Sequence, residues 1–423
     1  MKILIVSSES WRETNNGGNV LSNIFGAFPD AEIAQVYCSG ELPENGVCRK
    51  YFQISDTMLL RDKGRRLEER DYSYDSSSEA VVENRIKKKI PKLFKESALL
   101  AREVLWSVIN WRTEGLRQFI KEFAPDVIFA PCYSYFHVSK LALYIKSIAG
   151  CPMISYISDD NYSLKQLRFS PAFWINRLIT RKWIRRHFAQ CSLVYTMTEM
   201  QRQEYQPLMK CPMKVLCKSA EFEDGERPVG NPVKFIYAGG LYLNRWRVLA
   251  RLSSAIETIN KDAHKAELHI YSGSVLKAKE RNRIHDGSNS FLHGPLPYEE
   301  LRAEYKRCDV AIHVESFDLK NRLITRLSFS TKIIDCLESG CAVLAIGPEN
   351  QAGIAYLKDN DAAICIPSLD SLQTEIESLV GNSNIVQEYA QKAKQLGRKN
   401  HIKESIDEST IKDFCEVVNS GII

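Results

Sequence analysis

The chain has 423 residues and a formal net charge of +5 at pH 7, from 57 basic and 52 acidic residues. Single hydrophobic cores rarely serve more than about 300 residues, so this length predicts two domains. Hydrophobic residues make up 44% and aromatic residues 10%, which excludes a disordered chain. The charge is modest and the sequence contains no recognised nucleic-acid-binding module, so no nucleic-acid partner is expected.

The 12 cysteines include no C-x-x-C pair, and the sequence shows no cluster of metal ligands. We therefore expect free thiols in a reducing compartment, with no bound metal and no cofactor. The opening run "MKILIVSSES" is too short in its apolar part for a signal peptide, and no apolar stretch has the length of a membrane span. These features predict a cytoplasmic protein.

Short β-branched or aromatic runs, bounded by turn residues, recur through the first half and predict strands. They lie at 2–8, 31–37, 126–131, 152–158 and 192–198. Helical runs separate them, which predicts βαβ units and a parallel sheet. Residues 52–120 do not fit a compact repeat. We interpret "DYSYDSSSEA" there as a mobile surface loop and the rest as a helical insertion.

The second half repeats the alternation after a polar, Gly- and Pro-containing linker at 221–233. Its predicted strands lie at 233–240, 266–273, 290–294, 309–315, 341–347 and 362–367. The prediction is an α/β chain with two facing, Rossmann-like, doubly wound domains, at 1–225 and 230–400, followed by a C-terminal helix within 401–423. The cleft between them is the expected ligand site.

The stretch "FSTKIIDCLESG" (329–340) predicts an anion site. Lys332 falls in the first turn of a predicted helix, where a cation opposes the helix dipole unless an anion is bound. Ser330 and Thr331 add two hydroxyls, and Asp335 lies one turn further on the same face, suited to ribose hydroxyls. Together they suggest a nucleotide diphosphate. The alternative is a solvent-facing lysine beside an ordinary helix start.

A second element is "IYAGGLYLNRWRVL" (236–249), in which a strand ends at Gly239 and Gly240 and a helix begins near Arg245. Glycines at such a turn let the backbone approach a ligand, and an arginine there can pair with phosphate. Gly273 ends the next predicted strand in a similar way. The alternative is a tight turn with surface arginines.

In this order, the second-half motifs resemble the C-terminal half of the GT-B glycosyltransferases, which use nucleotide sugars in polysaccharide and glycolipid assembly. The matching motifs are "FIYAGGLY…R", "LHIYSG", "FLHGPLPYEELRAEYKRCDVAIHV" and "STKIIDCLESGCAVLA". The resemblance covers residues 230–370; the first half matches only in layout. In this fold the C-terminal helices usually cross back over the first domain.

The resemblance implies a role for each matched residue. Ser330, Thr331 and Lys332 are implied to hold the donor diphosphate, Asp335 to contact the ribose, and Gly239, Gly240 and Arg245 to border the phosphates. Many retaining members carry two glutamates eight residues apart, the second at the ribose position. Here Leu327 stands eight residues before Asp335, so no stereochemical outcome is inferred.

The first domain offers several candidate residues at predicted strand ends. Gly17 and Gly18 follow the first strand, and in the family an equivalent loop faces the transferred sugar or diphosphate; the alternative is simple turn chemistry. Asp159 and Asp160 are adjacent carboxylates, one of which would have a raised pKa and act as general base, unless it caps the next turn. His137 and Glu9 are further candidate bases.

Two basic runs favour contact with an anionic membrane surface, at 85–95 and 173–188. The second interleaves basic residues with Trp174 and Trp183; its basic residues are Arg177, Arg181, Lys182, Arg185 and Arg186. A solvated helix face explains the pattern equally well.

The sequence therefore predicts a metal-independent glycosyltransferase that moves a sugar from a nucleotide diphosphate donor to a saccharide or lipid-linked saccharide. It would work in the cytoplasm or peripherally at the inner membrane face. The alternatives are a catalytically silent subunit that binds nucleotide sugar, and a sugar-nucleotide epimerase on the same architecture.

Overall fold

The computed structural model describes residues 1–13, 16–62, 91, 94–223, 225 and 227–420. The predicted loop "DYSYDSSSEA" and most of the basic run at 85–95 lie outside the described residues. The chain divides into two compact units: Met1–Leu216 with Ile406–Ile423, and Cys217–Ser405. The division falls shortly before the linker predicted at 221–233.

The first unit contains every strand that the sequence predicts for it and two that the sequence analysis missed. Its strands are β1 (Lys2–Ser7), β2 (Glu32–Tyr37), β3 (Lys50–Gln53), β4 (Val127–Pro131), β5 (Met153–Ile157), β6 (Leu193–Thr196) and β7 (Met213–Val215). Its described helices are α1 (Asn16–Phe25), α2 (Asp56–Asp62), α3 (Lys95–Val108), α4 (Glu114–Phe123), α5 (Phe136–Ala149), α6 (Pro171–Phe188) and α7 (Glu199–Tyr205), followed by a 3-10 turn (Gln206–Leu208).

The strands of the first unit form one parallel sheet in the order β3-β2-β1-β4-β5-β6-β7. Two of them, β3 and β7, were missed by the sequence analysis. Both are short edge strands, with the exposed residues Lys50, Lys214 and Val215, so they lack the continuous apolar run that marks a central strand.

The second unit restarts the same pattern. Its strands are β8 (Val233–Ala238), β9 (Ala266–Tyr271), β10 (Ser290–His293), β11 (Val310–Val314), β12 (Ala342–Ile346) and β13 (Ile364–Ile366). Its helices are α8 (Arg245–Ile259), α9 (Ala278–Arg281), α10 (Tyr298–Tyr305), α11 (Leu319–Thr325), α12 (Lys332–Glu338), α13 (Ala352–Asp359), α14 (Leu372–Gly381) and α15 (Ser383–Asn400).

The second sheet is also parallel, in the order β10-β9-β8-β11-β12-β13. Its central strands are buried on both faces, and β11 and β12 contain only buried residues. The predicted α/β class with two doubly wound sheets is confirmed. In each sheet the chain leaves the centre in opposite directions, between β1 and β4 and between β8 and β11, which marks the topological switch points.

The last helix, α16 (Lys403–Ser420), contributes to the core of the first unit. The Phe414 side chain is fully buried, with its ring centroid 4.9 Å from Phe28 and 6.1 Å from both Phe25 and Phe129. Tyr195 of β6 also donates a 2.8 Å hydrogen bond to Asp413. None of the helices in the described ranges combines the length and hydropathy needed to cross a membrane.

Replacing Phe414 with Ala should destabilise the first unit by about 3–5 kcal/mol, because the cavity would lie inside an aromatic cluster. The measurement is urea unfolding followed by fluorescence. Ile411→Ala on the same helix is the control, because Ile411 is 36% exposed. Equal losses for both variants would mean that the helix does not depend on this cluster.

Candidate functional site

The second switch point brings the ends of β8 and β11 side by side. After β8 the chain passes through Gly239 and Gly240 into α8, and after β11 it continues with Glu315. In open parallel sheets ligands bind outside the carboxyl ends of the strands at such a point. The glycine pair singled out from the sequence therefore lies where the fold places a ligand.

Lys332 reaches this glycine pair from the start of α12. A Cβ atom at Gly239 would lie 2.9 Å from both Cδ and Cε of Lys332, so the lysine stem crosses the bare glycine backbone. The Tyr237 hydroxyl donates a 2.8 Å hydrogen bond to the Gly240 carbonyl and fixes the turn. Among the described residues, Lys332 has no carboxylate partner within ion-pair distance, so its charge is available to an anion.

Arg245, the first residue of α8, makes a buried ion pair. Its Nη2 donates to both carboxylate oxygens of Glu315, at 2.9 and 3.1 Å, and the two side chains are 12% and 8% exposed. Burial raises the pKa of Glu315, and the Arg245 charge opposes that rise. The Arg245 Nε is buried and has no hydrogen-bond partner. The arginine therefore retains an unused donor beside the glycine turn.

His313 lies two residues before Glu315 on β11. Its Nε2 has no hydrogen-bond partner and lies 3.6 Å from Glu315 Oε1. Burial lowers the pKa of His313 to about 3, and the nearby Arg245 and Lys332 charges act in the same direction, so the imidazole is neutral near pH 7. Gly353 packs beside it, and a Cβ atom there would lie 2.7 Å from Ile333 Cδ1 and 3.4 Å from the His313 Nε2.

Asp335, one turn into α12, pairs with a residue that the sequence analysis missed. Lys218 Nζ lies 2.5 Å from Asp335 Oδ1, and both side chains are about a quarter exposed. Any ribose at Asp335 would have to share the carboxylate with this lysine. A cavity of about 160 Å³ adjoins Asp335 between α10 and α12, lined also by Tyr298, Arg302 and Glu338.

Ser330 and Thr331 precede α12 and are half-buried. Thr331 is the N-cap, but its side chain makes no capping hydrogen bond, so the hydroxyl does not serve the helix. Gly273 follows β9; a Cβ atom there would meet only Pro295, at 3.6 and 3.7 Å. No atom of Lys332 lies within 4 Å of that Cβ position.

The structure contradicts a raised pKa at Asp160. Its carboxylate accepts hydrogen bonds from the Ser163 backbone N–H and the Tyr205 hydroxyl, each at 2.8 Å, and from the Ser163 hydroxyl. Burial alone would raise its pKa, but these bonds and the Arg177 charge outweigh burial and lower the pKa from 3.8. Asp160 holds the turn that follows β5, the alternative named above.

Arg177 belongs to the same buried cluster, which corrects its assignment to a membrane-facing surface. Its guanidinium donates to the carbonyls of Ser163 and Asp160, at 2.9 and 2.5 Å, and its side chain is only 6% exposed. A basic residue of an amphipathic helix can face inward when a buried carboxylate, here Asp160, lies opposite it. The spacing of residues along the helix does not reveal that carboxylate.

His137 is fully buried in the first unit. Its Nδ1 lies 2.6 Å from Glu103 Oε1, its backbone N–H donates to Glu103 Oε2, and its ring stacks on Trp106. Burial lowers the pKa of His137, and Glu103 opposes this. Its Nε2 has no hydrogen-bond partner, but the side chain is 0% exposed. A substrate therefore has no direct access to it in this structure.

Gly17 and Gly18 lie inside α1 rather than in a loop. A Cβ atom at Gly18 would lie 1.8 Å from the Arg12 carbonyl oxygen, so backbone packing requires this glycine. A loop at Gly17 and Gly18, whether facing the ligand or forming a simple turn, was therefore a wrong prediction; here the glycines allow a helix to pack closely on the preceding chain.

Two of the candidate bases are exposed just beyond strands of the first sheet: Asp159 after β5 and Glu9 after β1. Buried Gln35 anchors the Glu9 segment, since its Nε2 donates to the Ser7 hydroxyl and to the Glu9 carbonyl at 2.7 and 3.1 Å, and its Oε1 accepts from the Trp11 N–H. The Glu9 backbone is thus fixed while its side chain points outward.

No protein-family model matches the sequence, and comparison with curated proteins finds no significant match. The structure is similar to sucrose-phosphate synthase from Thermosynechococcus elongatus, with a TM-score of 0.64 and 13% identity over 99% of this chain and 100% of that one. HepE from Anabaena in complex with UDP gives a TM-score of 0.62 at 13% identity, covering 98% and 100%. The trehalose 6-phosphate synthase of Burkholderia multivorans gives 0.60 at 10% identity, covering 99% and 97%.

The chain has the GT-B fold. The resemblance seen in the second-half motifs is confirmed at the level of fold, and it extends over both halves. Identities of 10–13% establish the fold alone. Within the described ranges, no group of three or more histidine, cysteine, aspartate or glutamate residues is arranged to hold a metal ion.

Lys332→Ala should weaken binding of a nucleoside diphosphate roughly tenfold to a hundredfold, the value of one charge-assisted contact, and leave nucleoside binding nearly unchanged. Calorimetry measures the affinity for a nucleoside diphosphate and for its nucleoside, first with UDP and uridine and then with the corresponding pairs of the other bases. Lys320→Ala, an exposed lysine on α11, is the control. Equal loss of both ligands would mean that Lys332 acts through the fold.

Arg245→Ala should destabilise the protein by about 3–5 kcal/mol, because it leaves the Glu315 charge buried and unpaired. The double variant Arg245→Met, Glu315→Leu should recover most of this stability and still lose diphosphate affinity. Thermal unfolding and calorimetry report the two quantities separately. Full diphosphate affinity in the double variant would assign the pair a structural role only.

Asp160 should make stability depend on pH in the acid range. Its folded pKa is below 3.8, so its contribution is complete above that value and is lost as the pH falls through the lowered folded pKa. Asp160→Asn should flatten this part of the profile in urea unfolding between neutral and strongly acid pH. An unchanged slope would contradict the buried network.

Proposed function

We propose that the chain is a glycosyltransferase that moves a sugar from a nucleoside diphosphate donor to a saccharide or lipid-linked saccharide hydroxyl. The observation that carries this is Lys332, whose side chain crosses the bare backbone at Gly239 at the switch point of a GT-B fold. Arg245, paired with Glu315, begins the helix that follows the same glycine turn. HepE, which shares this fold, has been solved with UDP-glucose.

In this proposal the second unit binds the donor. Lys332, the Ser330 and Thr331 hydroxyls and the N–H groups of α12 take the diphosphate, and Arg245 supplies a second cation at the glycine turn. Asp335 accepts from the ribose. The leaving diphosphate is stabilised because these donors are held in place before the reaction, which avoids reorganisation as charge develops. No metal ion takes part.

We assign the general base to Glu9 rather than to Asp160 or His137. Asp160 is fully engaged and His137 is inaccessible, whereas Glu9 is exposed beside the β1–β4 switch point on an anchored backbone. Asp159, also exposed, is the competing carboxylate. Glu9→Gln should lower kcat by roughly a hundredfold or more, and Asp159→Asn by much less. The reverse order would transfer the role to Asp159.

Sugar transfer is tested with a panel of nucleotide sugars and saccharide acceptors, scored by acceptor mass. Transfer that survives EDTA is expected, since cationic side chains replace the metal. Activity that vanishes with EDTA and returns with magnesium or manganese would contradict metal independence.

Two other functions are compatible with the same pocket. Donor binding without turnover would favour a catalytically silent subunit. Leu327 is consistent with that role, because many retaining members of the family carry a glutamate at this position. Isomerisation of the donor without acceptor would favour an epimerase. Both outcomes are read from the same mass measurement, with and without acceptor.

A further inference from the structure

Two neighbouring helices of the first unit expose apolar side chains. Helix α3 packs beside α6, and Arg168, just before α6, lies 3.5 Å from Glu96 of α3. We call the exposed apolar residues of these helices and of the segments just before them the docking face. Its members are Phe94, Val104, Val108, Leu164, Phe169, Ile175 and Leu178, which are 45–92% exposed.

The spacing of these residues gives each helix a continuous outward side. On α3 the exposed positions follow Phe94 at intervals of three and four, through Ser97, Ala101 and Val104 to Val108. On α6 the exposed positions include Ile175 and Leu178. Phe169, at 92%, is the most exposed aromatic side chain among the described residues. The apolar residues on the outward sides of both helices are exposed and so do not belong to the core of this unit.

The outward side of α6 changes from apolar to basic along its length. After Ile175 and Leu178 it continues through Lys182, Arg185 and Arg186, all exposed, and α6 contains no acidic residue. Arg186 lies 4.9 Å from the Trp183 ring centroid, which places an aromatic side chain among the cations.

We propose that the docking face attaches the first unit to the surface of an anionic lipid bilayer. Exposed apolar side chains at the level of the acyl boundary, next to a stripe of lysine and arginine, are what a peripheral helix needs to bind such a surface. A nucleic acid would use the basic stripe but leave the apolar residues exposed to water. The proposed function gives this contact a purpose, because a lipid-linked acceptor is presented there.

The test is co-sedimentation of the full chain with vesicles of phosphatidylcholine, and of phosphatidylcholine mixed with phosphatidylglycerol, at low and high salt. The protein should bind the mixed vesicles and bind the neutral ones much more weakly. Lys182→Gln with Arg186→Gln should lower partitioning on the order of tenfold at low salt and little at high salt. The matched control is Lys261→Gln with Lys265→Gln, two exposed lysines of the second unit.

The apolar part is tested with Phe169→Gln, Ile175→Gln and Leu178→Gln together, which should lower partitioning by roughly tenfold or more at both salt concentrations. Val275→Gln, at 99% exposure in the second unit, is the control and should bind as the wild type does. All replaced side chains are exposed, so circular dichroism and the melting temperature should not change.

Wild-type protein that stays in the supernatant with mixed vesicles would overturn the proposal, as would controls that lose as much binding as the test variants. A dimer that the apolar variant dissociates, without vesicle binding, would assign the face to a second copy of this chain. The sedimentation assay contains neither sugar donor nor acceptor, so it tests membrane binding separately from sugar transfer. Absence of vesicle binding would still allow transfer to a water-soluble acceptor, and absence of transfer would not change the result of the vesicle assay.

Discussion

Every pairing of strands in the two sheets is parallel, and this constraint governs where chemistry occurs in the protein. Parallel strands release all their carboxyl ends at one edge of a sheet, so residues distant in sequence meet there. In the second unit the chain leaves the centre in opposite directions at β8 and β11. This brings Gly239 after one strand next to Glu315 after the other, and it opens the crevice that Lys332 enters.

The charges at this crevice are largely balanced before any ligand arrives. Glu315 holds Arg245, and Asp335 holds Lys218, while Lys332 has no carboxylate partner among the described residues. A buried ion pair is costly to form, and removing one member costs more than removing both. An arrangement of this kind keeps Arg245 and Lys218 in fixed positions and leaves Lys332, among the described residues, without a carboxylate partner.

The first unit uses buried polar groups in a different way. Asp160 and Arg177 close the loop after β5, and Glu103 fixes His137 against Trp106. These groups have the residue types of a catalytic site, but their hydrogen bonds serve the fold. The carboxylates of Glu9 and Asp159, in contrast, are exposed at the strand ends.

The sequence alone determined the architecture. Continuous apolar runs separated by helical runs indicate parallel sheets covered by helices, and every strand predicted in the described residues is present, with only the edge strands β3 and β7 missed. It also placed Lys332 at a helix start and Gly239 and Gly240 at a strand end, because such positions are local features that do not depend on distant residues.

Tertiary structure decided which charges pair. Glu315 was within reach of sequence reasoning, since it directly follows β11 at a strand end, but its bond to Arg245 spans 70 residues. The same holds for Lys218 with Asp335, and for Asp160 with Arg177, which removed one candidate base and one membrane contact. The packing of whole helices and strands decides which charged residues meet and how deeply they are buried. The desolvation and hydrogen-bond energies of these pairs therefore cannot be predicted from the local spacing of residues in the sequence.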